Sequence, residues 1–262
     1  FLKIIFLVSA VSHLRSCINN AFINYENTPD YIRKYKRCIQ KTFPSVDFDD
    51  FKMGRFGEIK KFIALNPDFD QNQCIWITVG IGGDTQVEKE FKEKYPQCSV
   101  YGIEVSSDQY SDFDNYGTVI PYGVAAEPGS VTLTIREGQR YLKRQIQVLA
   151  MADLLDRFVG QRLVHYMTID IEGFEYSILD ELLDEKLLNK QGVVFCQIDA
   201  ELHSSRPDKT EPMEKFLNRI NSLSSQYIPI FTNEFLTHQK VTFINIKNRQ
   251  CRSAFDFSRY LD

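Results

Sequence analysis

Two apolar runs in this chain end in groups that move protons. "MTIDIEG" (167–173) carries Asp170 and Glu172, and "CQIDAELH" (196–203) closes on His203. If both runs are parallel strands of one sheet, the three side chains emerge together at its carboxyl edge, where open α/β sheets bind ligands. A carboxylate or an imidazole there can take a proton from a hydroxyl or hold an acceptor in line. The competing expectation is that Glu172-Gly173 only shapes the turn into the next helix, with Glu172 answering the helix dipole. A metal held by carboxylates would serve the same chemistry, but no ligand spacing in the chain supports one, and none is assigned.

A second stretch, "CIWITVGIGGDTQVEKEF" (74–91), could hold a ligand rather than transform it. A β-branched run meets Gly80, Gly82 and Gly83 and passes straight into a helical pattern. Glycines at such a turn let ligand atoms approach the backbone. Glu104 follows Gly80 by 24 residues, at the end of the next apolar run, where its carboxylate can accept hydrogen bonds from both hydroxyls of a ribose. The dinucleotide fingerprint G-x-G-x-x-G fails, because Thr85 stands where the third glycine belongs. The plain alternative is a tight turn and a solvated strand-end charge.

These residues need a sheet to carry them. "CIWITVG" and "CSVYGIEV" read as strands around a helix with Val87, Phe91 and Tyr95 on one face. The Thr85-x-x-Glu88 spacing is that of a capping box, which starts this helix at Asp84 or Thr85. "GTVIPYGVAAE" and "SVTLTI" follow, then a helical "LAMADLLDRFVG", the strand "LVHYMTIDIEG", a helical "YSILDELLDEKLL" and the strand "GVVFCQIDAEL". A helix around Pro212 to Leu223 leads to "YIPIFTNEF" and "KVTFINIKN", read as an antiparallel pair. Alternation of this kind predicts an α/β fold built on a mostly parallel sheet. "RPDKTEP" (206–212) is a loop over the cleft or a plain connector. Trp76 reads as core, "RKYKRC" (33–38) as a solvated helix face, and His13, His165 and His238 as surface or satisfied core residues, none with a partner at metal spacing.

At 262 residues, with no repeat and no long flexible linker, the chain reads as one domain with an N-terminal appendage. A net charge of -4 gives no electrostatic reason to expect nucleic acid. The start, "FLKIIFLVSAVSHLRSC", lacks a Met and holds an apolar stretch from Ile4 to Val11, the length of a signal-peptide core and too short to span a membrane. Residues 1–20 therefore read as the remnant of a signal peptide or signal anchor, and 21–70 as a helical extension. The alternative is a buried N-terminal helix or strand. Six cysteines, an even number with no C-x-x-C pair and no zinc-finger spacing, join the apolar start in pointing to the secretory pathway, with a cytoplasmic site as the alternative. That reading expects at least one disulfide among Cys38, Cys74, Cys98, Cys196 and Cys251.

Taken together, "TVGIGGD", "VYGIEV", "GVAAEPGSVTLTI", "MADLLDRF" and above all "YMTIDIEGFEYSIL" resemble the FkbM-type methyltransferases. "CIWITVGIGGD" and "EKYPQC" are similar to a nematode-type branch. The likeness runs from Cys74 to Asn248 and makes 71–262 the methyltransferase domain. It implies a Rossmann-like seven-stranded sheet ending in an antiparallel pair, and S-adenosylmethionine on Gly80, Gly82, Gly83 and Glu104. It also implies methylation of a hydroxyl on a glycan or small molecule near Asp170, Glu172 and His203. Membrane contact would come only through an N-terminal anchor. Three positions depart from the family pattern: Thr78 where an Asp often stands two residues before the first glycine, Asp84 at the last motif glycine, and Thr168 for a Lys. A non-catalytic module that kept the fold is the second reading, and a dehydrogenase, weakened by Thr85, a distant third.

Overall fold

The structure is a computed structural model that describes residues 2–138, 140–203, 213–236 and 238–257, with only the backbone described for 2–8. Two helices open it. Helix α1 (Leu2–Ile23) buries Val11, Leu14, Ile18 and Ala21, a three-four-three spacing that keeps one stripe against the body. Helix α2 (Thr28–Thr42) starts where the Asn27 side chain accepts the N–H of Asp30 and Pro29 fills a first-turn position that needs no donor. A hairpin of β1 (Phe48–Lys52) and β2 (Ile59–Ile63) follows, so the extension read as helical is helices plus a hairpin.

The main sheet is built from β3 (Ile75–Val79), β4 (Ser99–Ile103), β5 (Thr118–Ile120), β9 (Leu163–Ile169), β10 (Val194–Leu202), β11 (Tyr227–Phe235) and β12 (His238–Asn245), in the order β11-β12-β10-β9-β3-β4-β5. Strands β10, β9, β3, β4 and β5 pair in parallel, while β12 runs against both β10 and β11. The sheet is therefore mixed rather than mostly parallel, because the short link between β11 and β12 forces a hairpin. All five residues of β3 are buried, as a strand covered on both faces requires. Helix α3 (Gln86–Lys94) covers it, and Trp76 packs among Phe51, Phe62, Phe91 and Tyr166, which confirms its place in the core.

Between β5 and β9 the chain forms a smaller sheet of β6 (Gly123–Ala125), β7 (Gly129–Glu137) and β8 (Arg140–Ala150). Strand β8 is absent from the sequence reading, although Leu142, Ile146, Val148 and Ala150 share one face of it at even spacing. Helix α4 (Met151–Leu154) ends in a π turn at Leu155–Val159. The helix expected over "YSILDELLDEKLL" is broken into α5 (Glu175–Leu179), a 3-10 turn at Asp180–Leu182 and α6 (Leu187–Lys190). A continuous helix would turn Lys186 onto the core face; the break at Glu185, with φ 67°, lets Leu188 reach it instead. Helix α7 (Met213–Ile220) and helix α8 (Arg249–Ala254) complete the fold. Pro212 and the segment 206–212 lie outside the described residues. Among the described residues no helix is long and apolar enough to cross a membrane.

The β1–β2 hairpin is held to the sheet by side chains rather than by ladder bonds. Gln197 of β10 both accepts from Ile63 N and donates to Ile63 O, each at 2.8 Å, and Asp199 accepts from Lys61 N at 3.2 Å. Buried side-chain amide and carboxylate groups thus satisfy an edge that would otherwise stay unpaired. The alternation of β2 then sends Lys60 inward, 5% exposed, toward the carboxyl end of the sheet.

Candidate functional site

Strand order reverses between β3 and β9, and the crevice beyond their carboxyl ends is where such sheets bind ligands. It holds an open cleft of about 1080 Å3, counting its mouth, lined among others by Gly80, Gly82, Glu104, Asp170 and Glu172. Gly80, at φ 89°, cannot carry a side chain, because a Cβ would stand 2.1 Å from the carbonyl oxygen of Asp170. The first glycine is therefore demanded by the turn after β9. Gly82 lines the cleft, whereas Gly83 is exposed, does not line it, and has its N–H on Gln109 O at 3.0 Å.

The N–H groups of the other two glycines are also committed: Gly80 N to Ile103 O at 2.9 Å and Gly82 N to Glu104 Oε2 at 3.4 Å. A pyrophosphate cradle needs such donors free, so this turn suits a ligand without phosphates. Glu104 Oε1 accepts from Ser106 N at 2.9 Å. Two backbone bonds fix this carboxylate and leave lone pairs for hydroxyl donors. Burial raises its pKa, against the pull of those backbone bonds.

The capping box does not form. Thr85 occupies the N-cap position of α3 without a side-chain bond to the helix and donates its hydroxyl to Asp112 instead. Glu88 turns inward, 3% exposed, and takes the hydroxyl of Thr78, which itself accepts from Trp76 Nε1 at 2.9 Å. A buried carboxylate thus lies beneath the glycine turn, next to the residue at which the family pattern often has an Asp. Burial pushes Glu88 up to about 7, with the Thr78 bond opposing it. The sequence misleads here, because Thr85 and Glu88 stand at the spacing of a cap.

Asp170, Glu172 and His203 do converge. His203 Nε2 lies 3.7 Å from Asp170 Oδ1 and 3.6 Å from Glu172 Oε2. The residue that organises them, missed in the sequence, is Glu175. Fully buried at the start of α5, it accepts Ile171 N at 2.8 Å, Gly173 N at 3.1 Å and His203 Nδ1 at 2.9 Å. Glu175, not Glu172, therefore answers the helix start. Glu172 sits at φ 56° and faces the cleft, where Tyr141 of β8 senses its charge. Burial raises Glu172, and the nearby charge of Asp170 raises it further. Burial alone would lower His203, but the Glu175 bond and the charges of Glu175, Asp170 and Glu172 lift it to about 9. In this state the imidazole is a cation that ties the carboxylates together.

Behind them lies a buried ionic tier. Lys60 Nζ is 2.6 Å from Glu58 Oε1 and 3.8 Å from Asp199 Oδ1, and Lys240 pairs with Glu58 and, at 3.3 Å, with Glu201 Oε2. Burial opposes the charge of Glu58, yet the two lysines bring its pKa down to about 2. His238, which the sequence leaves without a partner, has its ring centroid 4.1 Å from that of His203. His13 is exposed, and His165 is a satisfied core residue whose Nδ1 accepts Ile75 N at 3.2 Å. On the open side stand Arg55, from the loop between β1 and β2, and Arg136 of β7, which donates to Gly82 O at 3.4 Å. Asp199 and Glu201 stand in the same run as His203, but Glu58, Lys60, Lys240, His238, Arg55 and Arg136 are far from it in sequence, so only the topology brings them in.

The methyltransferase FkbM domain matches residues 40–226. No curated protein matches the chain.

Proposed function

The chain belongs to the FkbM methyltransferase family, and on that premise we propose that it transfers a methyl group from S-adenosylmethionine to a hydroxyl of a glycan or small molecule. The observation that carries this reading is that one cleft joins two half-sites: a glycine turn with a tethered carboxylate, Glu104, and a pair of carboxylates, Asp170 and Glu172. The turn fits the cofactor because its glycine N–H groups are internally bonded and ask for no phosphate, while Glu104 keeps lone pairs for ribose hydroxyls.

S-adenosylmethionine, when bound, supplies an electrophilic methyl on a sulfonium and leaves as the thioether. Glu104 would accept the ribose hydroxyls, and Gly82 would let the cofactor approach the backbone. Asp170 and Glu172 would orient the acceptor hydroxyl toward the cofactor's side of the cleft, and one of the two carboxylates would take up the hydroxyl proton. His203, fixed by Glu175, holds both carboxylates in position. The β7–β8 hairpin, through Arg136 and Tyr141, forms the acceptor's side of the cleft.

Secretory-pathway residence belongs to the same reading. It is supported by three disulfides, Cys17–Cys38, Cys74–Cys98 and Cys196–Cys251, which leave no free cysteine. Cys17, absent from the expected set, pairs all the same and ties α1 to α2.

Calorimetric titration with S-adenosylmethionine and single-turnover assays on a panel of hydroxylated acceptors test the proposal. Glu104→Ala is expected to weaken cofactor binding by about 1–3 kcal/mol. Asp170→Asn and Glu172→Gln should keep binding and lose transfer by about 100-fold or more. Binding without transfer to any acceptor would favour the non-catalytic module, and no binding would overturn the cofactor assignment.

A further inference from the structure

We propose that His203, His238 and Glu201, joined by Asp170 from the cleft side, form a site for one divalent cation of the manganese-to-zinc series. Glu201 and His203 are two residues apart along β10 and its exit, so both side chains leave on one face. The pairing of Leu202 with Gln239 puts His238 opposite His203. One ligand atom from each of Glu201, His203 and His238 lies within 4.8 Å of the others, and the same holds for Asp170, Glu175 and His203.

Two observations point to a ligand rather than to a closed polar cluster. First, His203 is oriented as metal-bound imidazoles are: a fully buried carboxylate, Glu175, holds Nδ1 at 2.9 Å and directs Nε2 toward Asp170 and Glu172. The 3.6 and 3.7 Å separations there are too long for hydrogen bonds. They are near the ~3.4 Å that separates two ligands each bound at ~2.1 Å to one tetrahedral ion. Second, Glu201, 5% exposed, has an oxygen, Oε2, that accepts no hydrogen bond and has Lys240 Nζ at 3.3 Å.

Charge agrees with this. Glu58, Asp170, Glu172, Glu175, Asp199 and Glu201 crowd one end of the sheet against Lys60, Lys240 and the His203 imidazolium, and both lysines are drawn to Glu58. A divalent ion that displaces the imidazolium proton would put two charges where one stands and offset more of the excess. The mixed imidazole and carboxylate set favours manganese, iron, cobalt, nickel or zinc over magnesium or calcium.

The test is independent of methyl transfer and needs no cofactor. The full chain, stripped with chelator and dialysed, is titrated with Mn2+, Zn2+ and Co2+. Bound metal is counted by mass spectrometry, and the Co2+ form is read by its visible absorption. One equivalent is expected, with a ligand-field spectrum and a raised melting temperature. His238→Ala, on a residue less buried than Glu201 and His203, and Glu175→Gln, which keeps an oxygen for Ile171 N and Gly173 N but loosens the hold on the imidazole, should each weaken Co2+ binding by about 10-fold or more. His13→Ala should bind as the parent does. A stripped parent protein that binds no equivalent of any of the three ions, or variants that bind as tightly as the parent, would overturn the site, whatever methyl-transfer assays show.

Discussion

Glu172 and Glu88 show how much of this site rests on single carboxylates held where they are uncomfortable. Glu172 is a non-glycine residue at φ 56° beside Gly173 at φ 101°, a left-handed turn that costs an L-residue roughly 1–2 kcal/mol. Such strain persists when the surroundings impose it, and it concentrates at functional sites. Glu172→Gly should therefore leave the fold as stable or raise its stability by up to about 1 kcal/mol, measured by denaturant unfolding, while methyl transfer falls. A clear loss of stability would mean that the side chain is there for packing. Glu88 makes a different prediction. Its folded pKa is raised to about 7, so the stability it contributes is fully present below its unfolded value near 4.5 and is lost as pH rises through 7. Glu88→Gln keeps an oxygen for the Thr78 hydroxyl and removes the titration. Relative to the parent, the variant should gain stability between pH 4.5 and 7, reaching at most about 3 kcal/mol above that range. Parallel pH profiles of melting temperature would show instead that Glu88 does not titrate there.

At the scale of elements, the sequence speaks clearly where periodicity and turn chemistry are local. The apolar stretches of β3, β9 and the first half of β10 announce a buried sheet, and the turn at Gly80 and the ends "IDIEG" and "IDAELH" mark its ligand edge. Asp170, Glu172 and His203 meet as expected because parallel strands put their exits side by side. What sequence hides is what the topology decides. Lys60 reaches the site only because Gln197 and Asp199 grip the edge of β2, and His238 only because β12 returns antiparallel to β10. The Thr85-x-x-Glu88 spacing is a local signal overruled by burial, since Glu88 finds the Thr78 hydroxyl inside and Thr85 finds Asp112. Strand β8 hides in sequence because Leu149 and Ala150, its last residues, run straight into the apolar helical stretch that follows.

For the molecule as a whole, the bridges distribute the anchoring. Cys17–Cys38 locks the helical pair at the start of the chain, Cys74–Cys98 ties the entrances of β3 and β4, and Cys196–Cys251 ties β10 to α8. They span 21, 24 and 55 residues. Closing loops of these sizes in the unfolded chain is worth about 3–4 kcal/mol each, and together about 10 kcal/mol. That is comparable to the whole stability of an ordinary domain, about 5–15 kcal/mol, so the fold should depend on oxidation. Position grades the dependence. Cys196 and Cys251 are fully buried and close the longest loop, whereas Cys17–Cys38 holds two helices that lie outside the main sheet. The double variant Cys196→Ala/Cys251→Ala is therefore expected to lower the melting temperature more than Cys17→Ala/Cys38→Ala. The fully reduced chain should lose cooperative unfolding at 37 °C. Thermal scans of the two double variants and of reduced, alkylated protein measure this directly, with thiol counts under denaturing conditions confirming each state. A reduced chain that still unfolds cooperatively at an unchanged temperature would show that the hydrophobic core around Trp76 and Tyr166 suffices, and would remove the strongest support for an oxidising compartment.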